Sequence, residues 1–309
     1  MKIHNMENIV NTAKEMKLGV PAAVSGAADL HVIEPVLKGK QDGYIRPVLI
    51  GDEAKITEIL RQCGEDPRDG YEIVDAKDDA KICAATVRLI KEKKAKMVIK
   101  GLIETGTLLS ALLNDDTGIG KTDCVSACGL LELEKYHKLI AFSDPGVNTF
   151  PDLTRKAGII RNGVSMLHAI GVETPKVAVL SSIEKVNPKQ PDTVEADQLK
   201  QMNQRGEISG CIVEGPISLD LAIQKESAEI KGYESPVAGD ADLLVVPDIL
   251  CGNMLIKGIG YFGDAKDASL VLGLEVPVLF GSRGGPIEGK YRSMALAAIY
   301  AHVHIRDNE

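Results

Sequence analysis

The stretch Val276-Pro277-Val278-Leu279-Phe280-Gly281-Ser282-Arg283-Gly284-Gly285 decides the fold class of this chain. Its first five residues make a short continuous apolar run, the pattern of a buried strand. The glycine-rich turn then leads into Glu288 to Ile305, where Met294, Leu296, Ala297, Ala298 and Ile299 read as a helix interior. A strand that passes through glycines into a helix start is a natural anion site. Backbone N–H groups point outward there, and the helix dipole favours negative charge. Arg283 adds a planar fork of donors that matches phosphate oxygens, and Ser282 adds a hydroxyl that can donate or accept.

The same strand-then-helix unit recurs along the rest of the chain. Strand patterns at Val20 to Ser25, Pro47 to Ile50, Met97 to Ile99, Lys176 to Leu180, Cys211 to Val213 and Leu243 to Val246 alternate with helical ones. The helices are expected at Asp29 to Lys38 (bent or broken by Pro35), Glu53 to Arg61, Asp78 to Lys94, Asp152 to Ile170, Thr193 to Gln204, Ser218 to Glu229 and Ile249 to Phe262. Repeated β-then-α units imply a mostly parallel sheet covered on both faces. One interval differs: Asp123 to Ala127, Leu130 to Leu133 and His137 to Phe142 read as three closely spaced strands with an antiparallel pair among them. The strands are too short and numerous for one unbroken sheet. The expected fold is therefore α/β with two lobes around a cleft, residues 1–142 and 264–309 forming the first and 143–263 the second.

Composition narrows the function. A chain of 309 residues with net charge −8 offers no basic face for a nucleic-acid backbone. No apolar run approaches the roughly 20 residues of a membrane span, and no signal or transit segment is evident, so a cytoplasmic protein is expected. The six cysteines and six histidines show no ligand spacing, and no metal is expected. An anionic small substrate must then be met by locally placed cations.

In folds of this class, ligands sit at the carboxyl ends of strands. Lys100 follows one strand, Asp144 to Asn148 a second, Pro247-Asp248 a third, and Ser282-Arg283 the last; Gly252, Asn253 and Lys257 lie one and two helical turns beyond Asp248. Each has a plainer role available: Asp144 as the first residue of a Pro-Gly turn, Asp248 as a helix cap, Lys257 as a solvated helix residue. Their accumulation along one sheet edge favours a cleft that binds an anion.

Asp144-Pro145-Gly146-Val147-Asn148, Glu214-Gly215-Pro216-Ile217-Ser218-Leu219-Asp220 and Pro247-Asp248-Ile249-Leu250-Cys251-Gly252-Asn253 with Lys257 occur in order, followed by Ser282-Arg283 and by Lys290 and Ser293. This ordered set resembles the phosphate acetyltransferase/phosphate butyryltransferase family, and the butyryl branch more closely. The resemblance implies a two-lobed α/β/α fold like that of isocitrate and isopropylmalate dehydrogenases, and a homodimer. It implies reversible transfer of a short acyl group between coenzyme A, as substrate, and inorganic phosphate, with no tightly bound cofactor. Carried over, it places Ser282, Arg283 and Asn148 at the chemistry, with Lys100, Asp144, Asp248, Gly252, Asn253 and Lys257 at the substrates. Positions often acidic in the family are Gly285 and Gly289 here, which leaves Glu288 as the candidate base, and Ser110 stands where many relatives carry Arg or Lys. Two other functions remain open at this stage: an NAD-dependent hydroxy-acid dehydrogenase of related fold, and a non-catalytic binder of acyl-CoA or acyl phosphate. The first lacks a glycine fingerprint with its ribose-binding acid.

Overall fold

The protein is described by a computed structural model covering residues 3–280 and 287–306, with side chains to 304. In chain order the elements are α1 (Met6–Glu15), β1 (Val20–Ser25), α2 (Leu30–Gln41), β2 (Ile45–Gly51), α3 (Glu53–Gln62), β3 (Glu72–Asp75), α4 (Asp79–Lys91), β4 (Met97–Lys100), α5 (Thr105–Leu113), β5 (Lys121–Glu132) and β6 (Ile140–Ser143). They continue as α6 (Leu153–Ala169), β7 (Lys176–Leu180), α7 (Pro191–Gln204), β8 (Ile212–Ile217), α8 (Leu219–Ile223), α9 (Lys225–Ile230), β9 (Leu243–Val245), α10 (Ile249–Phe262), β10 (Lys266–Leu274), β11 (Val278–Leu279) and α11 (Ile287–Arg306). The chain divides into two compact units, a terminal one (Glu7–Thr122 and Ala268–Glu309) and a middle one (Met1–Met6 and Asp123–Asp267).

In the terminal unit the strands run in the order β3-β2-β1-β4-β11-β10. All pair in parallel except β10, which lies antiparallel to β11. In the middle unit the order is β5-β6-β9-β7-β8, with only the β5–β6 pair antiparallel. The eleven strands of the described residues belong to one hydrogen-bonded sheet, contrary to the expectation that they are too short and numerous for it. In each unit they are mostly parallel and carry helices, as expected of this α/β class. The helices begin where carboxylates can cap them: Asp29, Asp52, Asp78, Asp152 and Asp248 each accept a backbone N–H of the following first turn.

The structure differs from the sequence expectations at several points. The compact units divide at Thr122/Asp123 and Asp267/Ala268. Residues 123–142 therefore group with the middle unit, because β5 pairs in register with β6 from Cys128↔Ser143 to Leu131↔Ile140. Two of the three strands expected in that interval are one twelve-residue strand, β5, with no turn at Cys128-Gly129. Pro35 does not end α2: Val32, Ile33, Pro35, Val36 and Leu37 are all buried there, and that packing outweighs one missing hydrogen bond. The helix expected at Ser218 to Glu229 is two short ones, α8 and α9.

Close backbone contact shapes the carboxyl ends of the central strands in the terminal unit. A Cβ on Gly101 would lie 2.2 Å from the Gly26 carbonyl oxygen, so only glycine lets the β4 loop cross the β1 loop there. Behind it the buried hydroxyls of Ser25 and Thr86 hydrogen-bond at 2.7 Å and tie β1 to α4. In the middle unit the Glu-Gly-Pro motif has a packing role. Glu214 accepts from Lys200 at 2.6 Å and from the Ser235 hydroxyl at 2.8 Å, while Gly215 leaves room for Ala196 of α7.

The amino ends of the same strands hold an ionic cluster. Asp240 is paired with His137 and Lys138, each at 2.8 Å, and with Lys176 at 2.5 Å. Partial desolvation pushes the Asp240 carboxyl upward, but hydrogen bonds from Lys138, Lys176 and His137 outweigh it and hold the group well below the usual carboxylate range. A depressed folded pKa stabilises above the unfolded value, and that stability is lost as pH falls through the folded pKa. Asp240→Asn is therefore expected to cost about 1 kcal/mol at pH 7, discounted for partial exposure. Chemical denaturation at pH 7 and below pH ~4 checks this, since the gap between the two proteins should narrow as the unfolded carboxyl protonates.

Candidate functional site

The loop after β6 is built around one carboxylate. Asp144, 2% exposed, accepts the backbone N–H groups of Gly146, Val147 and Asn148 at 2.9–3.0 Å. It also accepts the Asn148 side-chain amide at 2.6 Å. The second amide proton of Asn148 goes to the Val125 carbonyl of β5 at 2.8 Å. Both donors of that amide are thus engaged inside the protein, and its carbonyl oxygen faces the Arg155 guanidinium at 3.5 Å. Arg155 has no motif of its own in the sequence. The only local signal is its place in the first turn of α6, three residues after the capping Asp152.

The start of α10 packs against this loop. Asp248 caps the helix by accepting the Cys251 N–H at 2.9 Å. A Cβ on Gly252 would lie 2.9 Å from the Asp144 carbonyl oxygen and 3.0 Å from Pro145 Cα, so the glycine is what lets the helix end approach. Asn253 reaches the Pro145 carbonyl at 3.5 Å. The structure therefore brings Asp144, Asn148, Asp248, Gly252 and Asn253 together at the carboxyl ends of β6 and β9. Lys257, farther along α10, is exposed.

In the terminal unit Lys100 ends β4 and is 8% exposed. Its ammonium donates to the carbonyls of Ile103 at 2.9 Å and Gly101 at 3.2 Å. Glu288, in the first turn of α11, is exposed and pairs with Lys38 of α2 at 3.3 Å. Lys290 donates to the His31 carbonyl at 3.3 Å, and the Ser293 hydroxyl donates to the Gly289 carbonyl at 2.8 Å. Ser282 and Arg283, the residues on which the sequence reading turns, lie outside the described residues, as does Gly285.

The thiols are not poised for nucleophilic attack. Burial pushes Cys124 and Cys211 up to about 11 and Cys128 up to about 12, and it raises Cys63, Cys83 and Cys251 as well. None of the six cysteines forms a disulfide. Among the described residues no group of histidine, cysteine and carboxylate side chains has the arrangement of a metal site. No helix among them is long and apolar enough to cross a membrane.

Comparison with known proteins matches this geometry to a chemistry. Residues 79–298 fit the family model described as "Phosphate acetyl/butaryl transferase". The phosphate butyryltransferase of Clostridium acetobutylicum is 39% identical over 289 residues, covering 94% of this chain and 95% of that protein. The phosphate acetyltransferase of Thermotoga maritima is 38% identical over 296 residues, covering 96% and 99%. Among solved structures, a branched-chain phosphotransacylase from Enterococcus faecalis V583 superposes with a TM-score of 0.79 at 27% identity, covering 92% of this chain and 99% of that one. With its motif residues at the carboxyl ends of parallel strands and these likenesses along nearly its whole length, the chain belongs to the family of phosphate acetyl- and butyryltransferases.

Proposed function

We propose that this chain is a phosphate acyltransferase that exchanges a short-chain acyl group, butyryl or acetyl, between coenzyme A and inorganic phosphate. The observation that carries this reading is the placement of the motifs. Asp144 to Asn148 follows β6, Asp248 to Asn253 follows β9 and Lys100 ends β4. All lie at the carboxyl ends of parallel strands, where α/β folds bind ligands, in a chain of the phosphate acyltransferase family. A dehydrogenase is not favoured, since the named relatives are acyltransferases.

In the direction of acyl-CoA synthesis, the coenzyme A sulfur bonds to the acyl carbon of an acyl phosphate. The carbon–oxygen bond to phosphate breaks, and phosphate leaves with the electron pair. The thiol proton passes to a base. We assign the phosphate and its growing charge to Arg283, the orientation of thiol or carbonyl oxygen to Ser282, and the thiol proton to Glu288. Glu288 is available for this because its pair with Lys38 is exposed and worth little. Asn148 acts by positioning, held by Asp144 and Val125. Lys100 and Lys257 are assigned, as secondary candidates, to anionic groups of the substrates. Direct passage of the acyl group between the two substrates, without an acyl-cysteine, is the route we assign, and the burial that raises the Cys124, Cys128 and Cys211 thiols fits it.

Coenzyme A is then a substrate, and no tightly bound cofactor is required. Cysteines without disulfides fit a reducing, cytoplasmic setting. A homodimer fits the outer face of α10, where Leu250, Met254, Tyr261 and Phe262 are 63–94% exposed.

The deciding experiment is phosphate-dependent thiol release from acetyl-CoA and butyryl-CoA, run beside NAD reduction and equilibrium binding. Turnover only with phosphate supports the proposal, whereas binding without turnover, or NAD reduction, overturns it. Glu288→Gln is expected to lower kcat about 10²-fold while leaving stability within about 0.5 kcal/mol. Unchanged kcat would leave Glu288 only its helix-terminal charge role.

A further inference from the structure

The terminal unit contains a small cavity, one wall of which is the stem of Lys100. It lies between α2, α11 and the carboxyl ends of β4 and β11. Its lining is Val32, Pro35 and Val36 from α2, Ile99 and Lys100 from β4, Leu279 from β11, and Lys290, Ser293 and Met294 from α11. The wall is almost wholly apolar despite two lysines and a serine. The hydrogen bonds explain this. The Lys100 ammonium is turned onto Gly101 and Ile103, that of Lys290 onto His31, and the Ser293 hydroxyl onto Gly289 while it accepts from Ser269. What these side chains show the cavity is methylene. The cavity volume is about 20 Å³. It is thus the size of one small group.

Interiors of folded proteins are otherwise tightly packed, and a dry void forfeits contact energy. This one is placed where a void has a use. It is lined by Lys100 and Leu279, at the carboxyl ends of β4 and β11, and Leu279 is three residues ahead of Ser282 in the chain. Two cationic heads stand beside an apolar bore, the combination that suits a short hydrocarbon tail attached to an anionic group.

We infer that this cavity receives the hydrocarbon tail of the acyl group, with Val36 and Met294 forming its floor and setting the longest chain accepted. The inference rests on the acyltransferase reading above, which leaves chain length open between acetyl and butyryl. Val36 and Met294 are each 1% exposed and come from helices that pack on one another. A change at either therefore alters depth without touching a charged group.

The test measures kcat/KM with phosphate for acetyl-, butyryl- and hexanoyl-CoA. Met294→Ala deepens the floor and is expected to raise the hexanoyl-to-butyryl ratio about tenfold. Val36→Leu shortens it and is expected to raise the acetyl-to-butyryl ratio by a similar factor. Ratios within twofold of the unmodified protein in both variants overturn the assignment.

A measurement on the unmodified protein stands apart from folding of the variants. With 13C-labelled methionine methyls, butyryl-CoA without phosphate is expected to shift the Met294 signal, and coenzyme A alone is expected to leave it in place. An unmoved Met294 signal in the presence of saturating butyryl-CoA sinks the cavity assignment even if turnover is normal. A Met294 shift specific to butyryl-CoA in a protein that releases no thiol from any acyl-CoA supports the cavity and overturns the acyltransferase reading.

Discussion

Replacing Arg283 by alanine is expected to lower kcat/KM for acyl transfer by roughly 10²–10³-fold, with little change in stability. A guanidinium meets a phosphoryl group through two parallel, charge-assisted hydrogen bonds, and the charge it faces grows as the carbon–oxygen bond breaks. The loss should fall mainly on kcat if Arg283 acts on the leaving phosphate, and mainly on KM for phosphate if it only holds the ground state. Arg283→Lys separates charge from geometry: a lysine keeps the cation but not the fork, and should recover only part of the rate. Steady-state kinetics in both directions decide the matter. Retained activity in Arg283→Ala would remove the residue from the mechanism, and with it the anion-site reading of the Gly281 to Gly285 stretch.

The second large effect is expected at a residue assigned no chemical step. Asp144→Ala removes the acceptor of three backbone N–H groups and one side-chain amide in a buried position. Unsatisfied buried donors cost about 1–3 kcal/mol each before the loop relaxes. A net loss of roughly 3 kcal/mol in a urea unfolding experiment is the expected result. Activity should fall about 10²-fold even in the folded fraction, because the loop carries Asn148 and supports the start of α10, and small misplacements near reacting groups are expensive. Asp144→Asn retains one acceptor oxygen and should lie between the two. If Asp144→Ala is as stable and active as the parent, the loop is held by something other than this carboxylate.

Much of this was legible in the order of residues. The alternation of short apolar runs with helical stripes identified two mostly parallel α/β arrangements, because each pattern is local and repeats. Aspartates at helix starts were legible for the same reason: Asp52, Asp78, Asp152 and Asp248 bond to N–H groups two or three residues ahead. β10 was not. Lys266-Asp267-Ala268-Ser269 opens it with polar residues, which hide a strand that tertiary pairing, such as Val271↔Val278 with β11, makes. The single long β5 escaped likewise, since the break suggested at Cys128-Gly129 is closed by pairing with β6.

The candidate site divides along the same line. That Asp144, Asn148, Asp248, Gly252 and Asn253 belong together could be read from motif order and from the rule that strand ends bind ligands. What each side chain does there could not. The Asn148 amide is committed to Val125, twenty-three residues earlier on another strand. Asp144 turns inward to organise the loop, and Glu214 serves Lys200 and Ser235. The cavity between α2 and α11 has no sequence signature, since its walls come from residues 32–36, 99–100, 279 and 290–294.

By itself, then, the sequence determined the class of fold, the family and the residue types available for acyl transfer, because periodicity, caps and ordered motifs are written in neighbouring positions. Tertiary structure alone decided which polar groups are already satisfied and where empty space remains. Hydrogen-bond partners and packing voids depend on segments that meet only when the chain has folded.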